Sequence, residues 1–274
     1  MADIVYIRTA QDFVDLINGV YGRGTSSAYL NVEITDDIDM NDLGDPYEFV
    51  ATNTSDWYIY LNGNYHTISN IYYSNAASNV RWTLFYTLKG SSEIKNLTFK
   101  DVFVNAYYLT FMGSNMNNGT LTNVEVYGTL QAYGESSILQ AYFIYNSVIN
   151  GTFTHVVNGY YGIVAKYIVN CTAIVNAATT DFHIYYPDNS LTTSFAMING
   201  GKNITVWHNN NASLCYFVPY AATGTVTSGG GTSVVYDAEI AAANNVTVSS
   251  SAIAETTAKL HNAEYMATTY GFPY

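Results

Sequence analysis

The chain has 274 residues, 49% of them apolar and only 11% charged, against about a quarter charged in ordinary soluble domains. That is enough apolar content for a substantial core. A net charge of −12 with no basic run argues against nucleic-acid binding, which needs clustered Lys and Arg to neutralise phosphates.

The opening residues MADIVYIRTAQDF lack a charged-then-apolar signal region. No apolar run reaches the roughly 18 residues needed to span a bilayer. The expectation is a protein made in the cytoplasm without a signal peptide and without a membrane partner. Thr9, with Asp12 three residues on, resembles a capping box. Phe13, Leu16, Ile17 and Val20 then share one helical face, and Gly19 and Gly22 mark the stop. Residues 1–27 are thus read as a strand and a capping helix.

The acidic stretch after Asp36 raises a calcium reading. From Asp37, the oxygens of Asp39, Asn41, Asp45 and Glu48 fall at positions used by calcium-binding loops. Asp42 stands where such a loop needs Gly, and Pro46 intrudes. A solvated acidic loop is therefore preferred, and no metal or other cofactor is expected.

From residue 28 to 254 the chain repeats itself, and repeats decide architecture. The unit is apolar, any residue, Asn, apolar, Thr, apolar, as in Ile94-Lys-Asn-Leu-Thr-Phe99. Its asparagines are Asn70, Asn96, Asn123, Asn150, Asn170, Asn203 and Asn245, with intervals of 26, 27, 27, 20, 33 and 42 residues. Apolar alternation after each Asn is the period of a half-buried strand. Asn suits the preceding turn because it tolerates left-handed backbone. A period in the twenties is short for two helices and fits one coil of a β-solenoid. The fold class is therefore all-β: a single-stranded right-handed parallel β-helix of about nine or ten coils, each rung rising ~4.8 Å. The asparagines should form a ladder, and Thr98, Thr152, Thr172, Thr205 and Thr247 an outward column. The Asn-x-Thr sequence is also a glycosylation acceptor, which the repeat accounts for as a by-product of the coil. Residues 255–274 supply the second cap, through a helix-like segment from Glu255 to Thr269 with Leu260, Tyr265 and Met266 closing the last coil. The whole is one domain.

Chemistry-bearing patterns are sparse. Polysaccharide-cleaving enzymes need two carboxylates converging on one bond. No acid pair recurs in one column on neighbouring coils here, and the nearest thing to a catalytic pair is Asp181 with His183. A surface hydrogen bond is the preferred reading of that pair, and catalytic residues are not expected. Cys171 follows a ladder Asn and should point inward. With Cys215 it makes too few cysteines for a disulfide framework. Paired tyrosines at Tyr72-Tyr73, Tyr107-Tyr108, Tyr160-Tyr161 and Tyr185-Tyr186 should place one ring of each pair outward. There it could contact sugar or protein.

Tyr58-Ile-Tyr-Leu-Asn-Gly-Asn-Tyr-His-Thr-Ile-Ser-Asn-Ile71 resembles the L-D-G-N-x-H-T-I coil of pectate-lyase-like right-handed parallel β-helices, with Asn62 where Asp is commoner. The Tyr29–Asp39 segment resembles their first coil, and Leu84 to Leu97 resembles coils of GLUG-type repeat proteins. The end, from His261 to Pro273, is similar to closing segments in bacteriophage and gut-bacterial proteins. The resemblance implies a structural component on the exterior of a phage virion, attached to capsid or tail. Its expected partners are other virion proteins and a host-surface glycan, and a homo-oligomer is compatible with it. A short tailspike depolymerase and a non-catalytic glycan-binding adhesin are the alternatives.

Overall fold

In the computed structural model, residues 3–50, 55–77, 79–113, 118–134, 136–155, 160–180, 182–192, 194–206, 212–213, 216–220, 223–228, 235–243, 247–248, 253–260 and 262–270 are described. The chain is predominantly β, and its parallel strands stack as a β-solenoid of about six turns. One register column runs Ile4, Asn31, Tyr60, Glu93, Thr120, Phe143 and Tyr167, a rung per turn. Pairing then continues to Ser190 in the Phe182–Thr192 strand. The nine or ten coils expected from the sequence exceed the solenoid's count of about six turns.

Inward positions build the core by stacking like on like. Ile94, Leu121, Ile144 and Ile168 lie one above another and are all inaccessible to solvent. Phe99, Val126, Ile149 and Ala173 form a second inner column. A row of rings crosses the interior: Phe99 meets Phe111 edge-on at 5.0 Å, and Phe111 lies 5.6 Å from Trp82. Trp82 also donates its indole N–H to the Phe49 carbonyl at 3.0 Å.

The strands turn where the backbone goes left-handed. Asn96, Asn123, Asn146 and Asn170 all have φ between 48° and 53°, a region that Asn enters at little cost. Their amides bond along the axis: Asn96 Nδ2 donates to Asn62 Oδ1 at 3.1 Å, and Asn123 Nδ2 to Asn96 Oδ1 at 2.8 Å. Asn170 Nδ2 donates to Asn146 Oδ1 at 2.8 Å. The ladder residue of its coil is therefore Asn146. Asn150 instead pairs with Tyr127 in the middle of a strand. Asn70 is left-handed (φ 59°) but occupies another column, bonding Asp39 Oδ1 at 2.8 Å. The side chain of Asn203 and the whole of Asn245 lie outside the described residues. The expected threonine column divides as well. Thr98 pairs with Glu125, Glu125 with Val148 and Val148 with Thr172, whereas Thr152 pairs with Thr129. Thr205 is described in backbone only, with His183 as a pairing partner, and Thr247 pairs with Thr225.

This ladder makes a measurable prediction. Asn123→Ala loses one amide rung and leaves a residue with a Cβ in left-handed backbone, at a cost of about 2–3 kcal/mol. Asn123→Gly loses the rung but relaxes the backbone, at about 1 kcal/mol. Urea midpoints of the two variants should differ in that order. Equal midpoints would show that left-handed strain is irrelevant at this turn.

Directly after the ladder come Ser147 and Cys171, and Ser194 stands beside Cys171 on the next turn, all three buried. Ser147 Oγ donates to the Tyr145 carbonyl and accepts Val124 N–H, and Ser194 Oγ accepts Cys171 N–H at 3.2 Å. Cys171 points inward as expected, and burial pushes its thiol up to about 12.

The helix Ala10–Asn18 closes the first rung, which is the strand Ile4–Ile7. Thr9 and Asp12 make the full capping box, and Gly19 (φ 77°) ends the helix. Phe13, Leu16 and Ile17 are buried, and Phe13 stacks on Phe49 at 5.7 Å. Val20, placed on the same face from sequence, is 66% exposed because it follows the Gly19 stop. At the far end the helical segment is two short helices, Thr257–Leu260 and Ala263–Tyr270. Leu260 and Met266 are buried there, and Tyr265 donates to the Glu255 carboxylate. Among the described residues no helix is long and apolar enough to cross a membrane.

Candidate functional site

The acidic stretch is used locally. Asp37 Oδ1 accepts Thr67 N–H at 2.9 Å and faces His66 Nδ1 at 3.0 Å. These bonds, the backbone one foremost, hold the Asp37 carboxyl below its ordinary range. Asp39 Oδ1 accepts from Asn41 N–H and from the Asn70 amide. Asn41 sits in a 3-10 turn, Met40–Leu43, and Glu48 forms a parallel bridge with Tyr72. Among the described residues no three His, Cys, Asp or Glu side chains converge on one point. Asp181 and the His183 side chain lie outside the described residues.

The tyrosine pairs separate by depth. Tyr73 is 3% exposed, its ring 6.0 Å from Trp82, while half-buried Tyr72 stacks on Phe103 at 5.3 Å. Tyr107 and Tyr108 meet edge-on at 4.8 Å, both half-buried. The Arg81 guanidinium lies 5.6 Å from the Tyr108 ring. Tyr160, Tyr161, Tyr185 and Tyr186 are strand residues whose side chains lie outside the described set.

The structure draws together a different group of aromatics. On the outer face of the sheet bearing the asparagine ladder, Phe143 stacks on Tyr167 of the next rung at 4.9 Å, with planes 19° apart. Tyr145 lies near-parallel to Phe143 at 5.6 Å, and Tyr142 meets it edge-on at 4.6 Å. Lys166 Nζ sits 5.3 Å from the Tyr142 ring, a cation–π contact. Three rungs towards the first helix, Tyr29 stacks on Tyr60 at 4.7 Å, and its hydroxyl accepts Ser91 N–H at 3.0 Å.

Among the described residues, cavities at two places open on this face. The larger, about 460 Å³, is lined by Ile4, Asn31, Glu33, Tyr60, Asn62, Glu93 and Lys95 among others. Its carboxylates, Glu33 and Glu93, stand two rungs and two residues apart. That places their backbones about 12 Å apart. Lys95 already engages Glu93 at 3.1 Å. The smaller cavity, about 330 Å³, is lined by Gly90, Ser91, Asn118, Gly119, Thr120, Tyr142 and Phe143.

Sequence pairing of adjacent tyrosines could not find the aromatic column, because its members come from different turns. One signal could have: Glu93, Thr120, Phe143 and Tyr167 each stand three residues before a ladder Asn. Placing the ladder at Asn150 displaced that column by four residues.

Tyr127 is on the neighbouring face, where its hydroxyl donates to Glu125 Oε2 at 3.0 Å. Burial first, and the Glu125 charge second, raise the phenol to about 12 from 10.0. A raised folded value favours the neutral phenol. Its contribution to stability is complete below pH 10 and is lost as pH climbs towards about 12. Melting temperatures followed across that window should fall less steeply for Tyr127→Phe than for the parent, and parallel curves would contradict the assignment.

No family model matches the chain, and no curated protein matches it. Among solved structures it is similar to a Bacteroides ovatus protein described as a "putative immunoglobulin A1 protease". The TM-score is 0.50 at 15% identity, over 96% of this chain and 87% of that one. At that identity the likeness concerns the fold alone, and the similar structure is not a phage protein.

Proposed function

We propose that the protein is a structural and recognition solenoid displayed on the exterior of a particle, where its outer face meets glycan without cleaving it. The observation that carries this reading is the outer face itself. Stacked rings, amides and hydroxyls are held in fixed register there, and Glu93 of the larger cavity is already paired with Lys95. Rings offer apolar faces and amides offer paired donors and acceptors, which together suit sugars. A bacteriophage virion, with attachment to capsid or tail, is the setting drawn from the motif resemblance. The buried Cys171 thiol, pushed up to about 12, is unsuited to act as a thiolate nucleophile.

Two measurements test the reading. Mass spectrometry of purified particles should find this chain among the exterior proteins, and its absence from every particle fraction would overturn the virion setting. Incubation with host capsular polysaccharide should release no reducing ends. Steady release of oligosaccharide would replace the structural reading with a depolymerase.

A further inference from the structure

The smaller cavity exists because the aromatic column stops. Tyr167 and Phe143 stack on successive rungs, but the next position in the column is Thr120. One face of Phe143 is covered by Tyr167. On its Thr120 side Phe143 lines the cavity, together with Tyr142. Gly90 and Gly119 line the floor without side chains. Gly119 (φ 79°) would drive a Cβ to within 2.4 Å of Leu88 Cβ, and its N–H donates to the Gly90 carbonyl at 3.3 Å. Backbone bonds from Tyr142 N–H and Phe143 N–H to the Gly119 carbonyl fix the ring wall against this floor. Ser91, Asn118 and Thr120 provide the polar rim, and among the described residues none that lines the cavity is acidic or basic.

Each of these features selects against a different ligand. A flat ring wall suits the apolar face of a pyranose. A rim of hydroxyl and amide groups suits sugar hydroxyls, since each group both donates and accepts. The described lining carries no charge and Lys166 is held against the Tyr142 ring, so a uronate or phosphate would gain no ion pair from the lining itself. The volume of about 330 Å³ lies at the small end of ligand pockets, enough for one ring of a chain. From the larger cavity to this one, the Tyr60, Glu93, Thr120 and Phe143 column spans about 14 Å along the axis. A bound chain can thus run from Phe143 towards the Tyr29–Tyr60 stack.

We infer that the cavity between Thr120 and Phe143 is a subsite for one neutral pyranose of a glycan chain, seated on the Phe143 ring where the aromatic column ends. The inference rests on the glycan-contact part of the proposed function. Thr120→Phe tests it, because the substitution continues the column into the cavity. It should keep or raise the melting temperature while removing the space for sugar. Phe143→Leu is the complementary change, which keeps an apolar side chain and removes the ring. Full-length protein would be titrated calorimetrically with maltohexaose, cellohexaose and mannohexaose, with polygalacturonate oligomers as the charged control.

The expected result is binding of at least one neutral hexaose, weakened about tenfold or more by each substitution, or about 1.4 kcal/mol, and no binding of the uronate. Undiminished binding by a folded Thr120→Phe protein would overturn the subsite while leaving glycan contact elsewhere on the rod intact. Binding of none of the neutral hexaoses would overturn the subsite as well, and the particle measurement would still decide the structural role. Preferential binding of polygalacturonate would shift the contact to the Lys95 cavity and sink this one.

Discussion

Gly151→Ala is expected to destabilise the protein by about 3 kcal/mol or more, among the largest effects of any single methyl group added here. A Cβ on Gly151 would lie 1.8 Å from the Gly128 carbonyl oxygen. One on Gly128 would lie 2.1 Å from the Val102 carbonyl oxygen. These residues stack on consecutive rungs, so the atoms in the way are backbone and cannot rotate aside. Two whole turns would have to part. Gly22 is the control. It is left-handed (φ 82°), but nothing lies within 4 Å of its added Cβ. Gly22→Ala should therefore cost only the backbone strain, about 1 kcal/mol. Urea titrations of the two variants separate close approach from backbone conformation, and comparable midpoints would refute the distinction.

Trp82→Ala is expected to cost about 4 kcal/mol, within the range for deleting a fully buried ring. The indole has no solvent exposure, lies 5.6 Å from Phe111 and 6.0 Å from Tyr73, and donates to the Phe49 carbonyl. Phe49 in turn stacks on Phe13 of the first helix. Loss of the indole therefore weakens the seat of the cap as well as the core beneath it. Trp82→Phe keeps much of the packing and leaves the Phe49 carbonyl without its donor, at about 1–3 kcal/mol. Amide exchange in the Ala10–Asn18 helix provides the second readout. It should accelerate in Trp82→Ala, whereas unchanged exchange there would show that cap and core are uncoupled.

The solenoid was legible from its turns. Ile94-Lys-Asn-Leu-Thr-Phe99 announces a left-handed Asn followed by alternating core residues, and Leu97 and Phe99 are buried as that alternation requires. The cap was legible from Thr9 and Asp12, because a capping box is a local hydrogen-bond pattern. Register was not. Val148-Ile-Asn-Gly-Thr-Phe153 matches the repeat, yet the turn falls at Asn146, 23 residues after Asn123 rather than 27. Coils of unequal length share one motif, and alternation alone cannot tell an Asn that turns the chain from an Asn that rides within a strand. That slip of four residues hid the Thr120, Phe143 and Tyr167 column, and with it the smaller cavity. The stacked glycines escaped notice for the same reason, since Gly128 and Gly151 are recognisable as partners only after alignment.

The register steps from Ile4 to Tyr167 are 27, 29, 33, 27, 23 and 24 residues, yet every rung continues the same columns. Differences in length are absorbed in the turns and in bulges, as where Asn62 to His66 faces Lys95 to Leu97. Each turn binds only its two neighbours, through interfaces of one kind. The natural unit of change in such a molecule is therefore a complete coil: duplication or deletion of one would alter reach in steps of about 4.8 Å and leave the remaining contacts as they were. Reach and recognition are then separately adjustable, the first by the number of coils and the second by which side chains stand three residues before the asparagine.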